Sequence, residues 1–457
     1  MTCTLALILG VAVGHTGELA VPFEHYELDN GLDVIIAVDS STPIVSVNTW
    51  YHVGSKDETE GLSGFAHLFE HLMFQGSASQ PEDFFTPIDE VGGDVNGTTN
   101  ADRTNYYQTV PSQHLPMALF VESDRMGWLL IDNDRLDNQK EVVRNERRQR
   151  YENRPYGKWH LDLYASLYPQ GHPYHHATIG SHEDLENATL DDVQAFFDRW
   201  YVPNNAALVI TGDLDIDATK ATVLEYFGDI PSGAPITRTP PPAHALSNSI
   251  TLRQRDRVPE QRLWLAWHSP AHYAEGDAEL DLLAMALATG PSSRLYQRLV
   301  QTGIAKTVGA GQYSRRLTST FIISATPAPG HTTDEVVAII DEVLAEITAG
   351  SPPTDEELAA ARAGIETGFY SRLRTVQSKA NALNQALYQT GDPSSLMRYN
   401  ERFTSLTADR VAEVGAEVFA GHRVALHIHP DTEDTPDEAR SFWKRLFKPR
   451  DASEDAP

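Results

Sequence analysis

Two histidines four residues apart, His67 and His71, stand with Glu70 in the run HLFEHLMFQG at residues 67–76. On an α-helix, positions i and i+4 lie one turn apart on one face, so both imidazoles can turn a nitrogen toward a single ion. Glu70 sits about 100° around the helix from His71 and can border that ion without ligating it. The order His-x-x-Glu-His inverts the His-Glu-x-x-His signature of zinc hydrolases. Catalytic zinc ordinarily takes three protein ligands and keeps a fourth position open, so another element must supply the third. The charged run LDNQKEVVRNERRQRYEN at 136–153 offers Glu141 and Glu146 as carboxylate candidates. Two neutral imidazoles and one carboxylate leave such a site net positive, enough to acidify water, and Glu70 could take up the proton. The alternative is a plain core helix. Leu68, Phe69, Leu72, Met73 and Phe74 are indeed expected to be core, holding the helix rigid while its polar side holds the ion.

Composition narrows the chemistry further. The 457 residues carry a formal charge of −28, which disfavours nucleic acid and favours solubility and basic substrates. With Cys3 as the single cysteine, neither a disulfide framework nor a thiolate metal site is available. GHPYHHATIG, with His172, His175 and His176, carries Gly and Pro and is expected to be a hydrogen-bonding loop, not a second metal site. No apolar run is long enough to span a membrane. TLALILGVAV at 4–13 has the length of a signal-peptide core but lacks a preceding basic residue and a clear cleavage site. Periplasmic or other export is the expectation, with a cytoplasmic location still open.

The elements that must position these residues repeat along the chain. Thr189 to Asp213 and Thr407 to Asp431, offset by 218 residues, both run from a Thr N-cap through an amphipathic helix and a turn into an apolar strand. NYYQTVP followed by HLPMALFVESDRM is matched by TFIISATP followed by TDEVVAIIDEVLAEI. The fold class is α+β: two homologous sandwich-like domains, each a mixed, mainly antiparallel sheet with helices packed on it. The proline-rich stretch at 231–248 marks the join. The expected division is a possible targeting segment (1–20), a zinc-binding domain (21–235), a linker (236–244), a second domain (245–432) and a charged tail (433–457). Helices are expected around 63–75, 113–129, 135–152, 190–200, 277–289, 333–348 and 354–375.

HLFEHLMFQGS, followed 75 residues after His71 by Glu146, resembles the pitrilysin, insulinase and mitochondrial processing peptidase family, particularly its short bacterial two-domain members. The likeness continues through GGDVNGTTNADRTNYYQTVP, HPYHHATIG and WYVPNNAALVITGD to GPSSRLYQRL, spanning about 21–430. It implies a zinc endopeptidase holding one Zn2+ per chain on His67, His71 and Glu146, with Glu70 as general base. It also implies an active-site edge strand around Asn96 to Val110, where Asn96 and Thr98 would lie near the scissile bond and an extended peptide could pair with the main chain. Family members often have an acidic residue where this chain has Gln139, which can hydrogen-bond but adds no charge.

The second domain departs from the pattern. Family chains that complete a site alone commonly carry an Arg and a Tyr seven residues apart that stabilise the oxyanion. The matching stretch here, LVQTGIAKTVG, has Val300 and Lys306 at the nearest positions, and neither replaces those donors. Arg294 and Tyr296 stand nearby in a context that matches a packing feature. The expectation is therefore a heterodimer in which a paralogous subunit carrying the Arg/Tyr pair completes the site. A non-catalytic structural subunit and a peptide-binding module with structural zinc are the competing readings.

Overall fold

The computed structural model describes residues 21–239 and 241–431. The expected targeting segment, the tail and Cys3 lie outside them. Among the described residues no helix is long and apolar enough to cross a membrane.

The first half builds a six-stranded sheet from β1 (Glu24–Glu27), β2 (Asp33–Val38), β3 (Ile44–Tyr51), β4 (Asp94–Thr99), β5 (Thr104–Pro111) and β6 (Ala206–Gly212), in the order β1-β2-β6-β3-β5-β4. The second half builds five strands: β7 (Ile250–Asp256), β8 (Arg262–Ser269), β9 (Ala305–Tyr313), β10 (Ser319–Pro327) and β11 (Arg423–Pro430), in the order β7-β11-β8-β10-β9. Without β1 the two orders coincide. In each sheet one pair is parallel, β2 with β6 and β7 with β11, and the other pairs are antiparallel. The repeat visible in the sequence is thus a repeat of topology. Thr189 and Thr407 both cap their helices, each accepting a backbone N–H three residues on.

The central strands of each sheet are buried on both faces, which explains why β2, β6 and β8 read as continuous apolar runs instead of alternating ones. Val34, Ile36, Val45, Val47, Leu208 and Ile210 face helices of the first half, including Phe65–Leu72 and Leu190–Trp200. Their neighbours Ile35, Ala37, Ala207 and Val209 face the Val376–Thr390 helix, which comes from the second half. The exchange is mutual. Trp264, Ala266, Ile322, Val424 and Leu426 of the second sheet pack on Leu163, Tyr164 and Leu167 of the Trp159–Leu167 helix, from the first half.

Neither exchanged helix is among the expected ones. The helix foreseen over 354–375 ends at Ser371, and a new one starts after Thr375, whose hydroxyl accepts the Ser378 N–H. Its apolar positions Val376, Ala380, Leu383 and Leu387 follow helical spacing, but the polar residues among them dilute the stripe. The helix foreseen over 135–152 runs from Asn133 to Arg147 and then widens into a π turn over Arg148–Glu152.

Candidate metal centre

The histidine helix, Phe65–Leu72, starts from Gly64 at φ 92°, where a Cβ would lie 2.9 Å from Gly180 Cα. Only glycine fits that left-handed, crowded position. The buried Glu58 carboxylate accepts the Gly64 and Ala66 N–H groups at 2.9 and 2.8 Å, placing an anion on the helix N-terminus. His176 Nε2 meets Glu58 at 2.8 Å, and His175 Nδ1 meets the Tyr168 carbonyl at 2.7 Å. His172 Nδ1 accepts the Tyr174 N–H at 3.0 Å. The histidine-rich loop is therefore engaged in hydrogen bonds, and His176 braces the helix.

One turn apart on that helix, His67 and His71 face Glu146 on the glutamate helix, Asn133–Arg147. Glu146 Oε2 lies 3.6 Å from His67 Nε2 and 3.3 Å from His71 Nε2. Zinc bonds of about 2.1 Å at tetrahedral angles set ligand atoms about 3.4 Å apart, so the spacing and the donor set fit that ion. Among the described residues these three form the one such cluster, their ligand atoms all within 4.8 Å of one another. His71 Nδ1 donates to Gln139 Oε1 at 3.2 Å, which leaves Nε2 with its lone pair toward the centre. Burial, then the neighbouring His71, pushes His67 down to about 4, so it is neutral and able to ligate. Burial alone would raise Glu146, but its pairing with His71 and the positive charge of Arg150 hold it below the usual range. Arg150 sits 2.7 Å from Glu146 Oε1.

Glu70 lies beside these groups, its carboxyl pushed above the ordinary value by burial while Thr99 and His71 pull the other way. The shared cleft has a volume of about 530 Å³, with Phe74, Phe85 and Ile179 as an apolar wall. Glu141, the other carboxylate candidate, points elsewhere: it is exposed and pairs with Arg144 at 2.5 Å.

The segment Asn96–Val110 is a hairpin in which β4 alone is the edge, since β5 is paired on both sides. Asn96 and Thr98 line the cleft, and strand alternation puts their side chains on the face opposite Gly97 and Thr99. Thr98 Oγ1 donates to Asn105 Oδ1 at 2.5 Å and Asn96 Oδ1 accepts the Gly97 N–H at 2.8 Å. Period-two alternation turns Gly97 and Thr99 toward the histidine helix. Sequence reasoning passed over those two positions; the signal available was the parity of the strand.

Among the described residues lining this cleft, none comes from the second half. Lys306 pairs with Glu260, and Arg294 is held by Glu357 at 2.8 Å and by the Ser351 and Pro352 carbonyls. Arg294 is thus a clamp within the second half.

The insulinase (peptidase family M16) profile matches residues 33–175, and the profile of the peptidase M16 inactive domain matches residues 187–365. A zinc protease, PqqE, of Helicobacter pylori is 26% identical over 431 residues, covering 92% of this chain and 95% of that protein. The crystal structure of a protease from Helicobacter pylori superposes with a TM-score of 0.82 at 26% identity, over 90% of this chain and 99% of that one. Pitrilysin shares the fold at a TM-score of 0.75 and 19% identity, over 90% of this chain and 45% of pitrilysin.

Proposed function

Because the chain belongs to the insulinase family of peptidases, family M16, we propose that it is a zinc-dependent endopeptidase acting on extended peptides, with Glu70 as general base. The observation that carries this reading is the convergence of His67, His71 and Glu146 at metal-ligand spacing, next to a half-buried Glu70 and beside a strand edge. His67 and His71 would hold one Zn2+ through Nε2 and Glu146 through a carboxylate oxygen. When bound, zinc supplies Lewis acidity, which acidifies water and polarises a peptide carbonyl.

The rest falls to the chain's own side chains. Glu70, raised by burial toward working pH, takes a proton from water and returns it to the departing amide nitrogen. The free edge of β4 pairs with the substrate main chain, so binding makes little demand on substrate sequence. The wall of Phe74, Phe85 and Ile179 gives one neighbouring substrate side chain an apolar surface.

A paralogous second subunit supplies the oxyanion donors in this reading. Three observations support it: the second half adds no residue to the cleft, Val300 and Lys306 stand at the nearest donor positions, and the chain matches about half of pitrilysin. A second reading, a structural or peptide-binding subunit without activity, is favoured by that same lack of donors.

One experiment separates them. Zinc content and peptide cleavage are measured for the chain and its Glu70→Gln variant, each with and without a copurified partner. Retained zinc with cleavage lowered about a thousandfold is expected. Unchanged cleavage would remove Glu70 as base, full activity from a verified monomer would remove the partner, and zinc without cleavage in any arm would favour the structural subunit.

A further inference from the structure

The Val376–Thr390 helix comes from the second half yet packs on the sheet that carries the metal centre. It presents two buried polar residues one turn apart, Asn384 at 1% and Tyr388 at 8% exposure. Each starts a route of hydrogen bonds, and both routes end at Thr98 on β4. The first crosses the sheet strand by strand. Asn384 Nδ2 donates to the Asn48 carbonyl of β3 at 2.9 Å, and Asn105 Nδ2 of β5 donates to Asn48 Oδ1 at 3.2 Å. Thr98 Oγ1 then donates to Asn105 Oδ1 at 2.5 Å.

The second route rounds the hairpin tip. The Tyr388 hydroxyl donates to the Asp102 carbonyl at 2.7 Å, and the adjacent Arg103 Nη1 donates to the Thr98 carbonyl and hydroxyl at 2.9 and 2.6 Å. Asp102 is gripped from further sides. Its carboxylate accepts the Tyr174 hydroxyl at 2.6 Å and the Arg316 N–H, from the β9–β10 turn, at 3.0 Å. Lys56 Nζ donates to the same Asp102 carbonyl at 2.8 Å. Burying Asn48 and Asn105 in a sheet, and Asn384 against it, is costly unless their groups are paired; these bonds pair all but Asn48 Nδ2 and Asn384 Oδ1. A helix that had only to cover the sheet could do so with residues such as Ala380, Leu383 and Leu387, which it also has.

We propose that Asn384 and Tyr388 are positioning residues: through Asn48–Asn105 and through Asp102–Arg103 they let the second half set where Thr98, and with it the β4 edge, sits beside Glu70. Its relevance to substrate rests on the reading of β4 as the peptide-binding edge. An edge strand is held by a partner on one side only, so its seating depends on such outside contacts. A shift of β4 would carry Gly97 relative to Glu70, and a displaced reacting bond loses rate steeply.

The test is amide hydrogen exchange, read by mass spectrometry on the full zinc-loaded chain, for Tyr388→Phe, which deletes one hydroxyl, and for Asn384→Ala. Exchange over residues 94–103 should accelerate about tenfold in each, the scale of one lost hydrogen bond. β6, which lies under the same helix, should keep its protection. Lys379→Ala, which removes that helix's ion pair with Asp39, should leave 94–103 unchanged. Unaltered exchange over 94–103, or a rise of equal size in β6, overturns the proposal. Peptide binding to these variants on a Glu70→Gln background should weaken about tenfold. If the exchange result holds and the unmodified chain, with its partner, binds and cleaves no peptide, the positioning stands and the substrate reading alone fails.

Discussion

A Cβ added to Gly97 would lie 3.1 Å from Cγ of Glu70, so the edge strand and the base pack so closely that even a methyl group would push on the glutamate by a few tenths of an ångström. The same Cβ would meet the Phe74 ring at 3.1 Å. Gly97→Ala should therefore displace Glu70 or the strand while leaving the three metal ligands in place. We expect zinc content to be unchanged and kcat/KM to fall about a hundredfold, a loss typical of misplaced reacting groups. Wild-type kcat/KM in a zinc-replete variant would show that the contact carries no catalytic weight.

Gln139 orients His71 from behind, its amide oxygen 3.2 Å from Nδ1. Removing the partner of a ligating imidazole commonly costs 10–100-fold in metal affinity, so Gln139→Ala should weaken zinc binding by about that factor. Gln139→Glu should strengthen it by adding negative charge. Competition against a chromophoric chelator measures both, and equal affinities in all three proteins would refute the role.

Leu383, Leu387 and Ala380 cover Ile35, Ala37 and Val209 from the other half of the chain. Burial of each large side chain is worth roughly 1.5–3 kcal/mol, and a polypeptide ending before β7 would leave that face wet. Residues 21–239 expressed alone should aggregate or bind a hydrophobic dye. Coexpression with residues 241–431 should yield a soluble noncovalent pair. A soluble, cooperatively folding first half on its own would show that the exchanged helix is dispensable.

Asp281 lies beside Asp277, and burial first, then that carboxylate, pushes it up to about 7 against an ordinary 3.8. Between those values the folded state holds a proton that the unfolded state has released. Its contribution to stability is therefore full below about pH 3.8 and is lost as pH rises through about 7. Asp281→Asn should remove this slope and raise stability at pH 8 by about 2 kcal/mol, after discounting for solvent screening. Urea midpoints at pH 5.5 and pH 8 test it; a variant whose advantage is the same at both would count against the assignment.

Much of the fold is legible in the sequence because its rules are local. The Thr caps at 189 and 407, the apolar strands that follow them and the 218-residue offset all concern neighbouring residues, and the sheet orders repeat accordingly. The i, i+4 spacing of His67 and His71 is local too. Glu146 is not: spacing leaves Glu141 equally open, and resemblance to a family separates the two. In the structure the glutamate helix turns Glu146 to the histidines and Glu141 to solvent, which is a matter of how two helices cross. Asn96 and Thr98 line the same cleft on the edge strand, and strand parity adds what spacing did not show: Gly97 is the position that meets Glu70.

By itself the sequence determined the two-unit α+β plan and the histidine pair with its glutamate, since each is written in residue type and short spacing. Tertiary structure alone decided which helix covers which sheet. The Val376–Thr390 helix is weakly amphipathic because it buries amides as well as leucines, and its partners Asn48 and Asp102 lie 336 and 286 residues away in the chain. Such contacts arise only when both sheets exist to be covered, and so they leave no local signature to read.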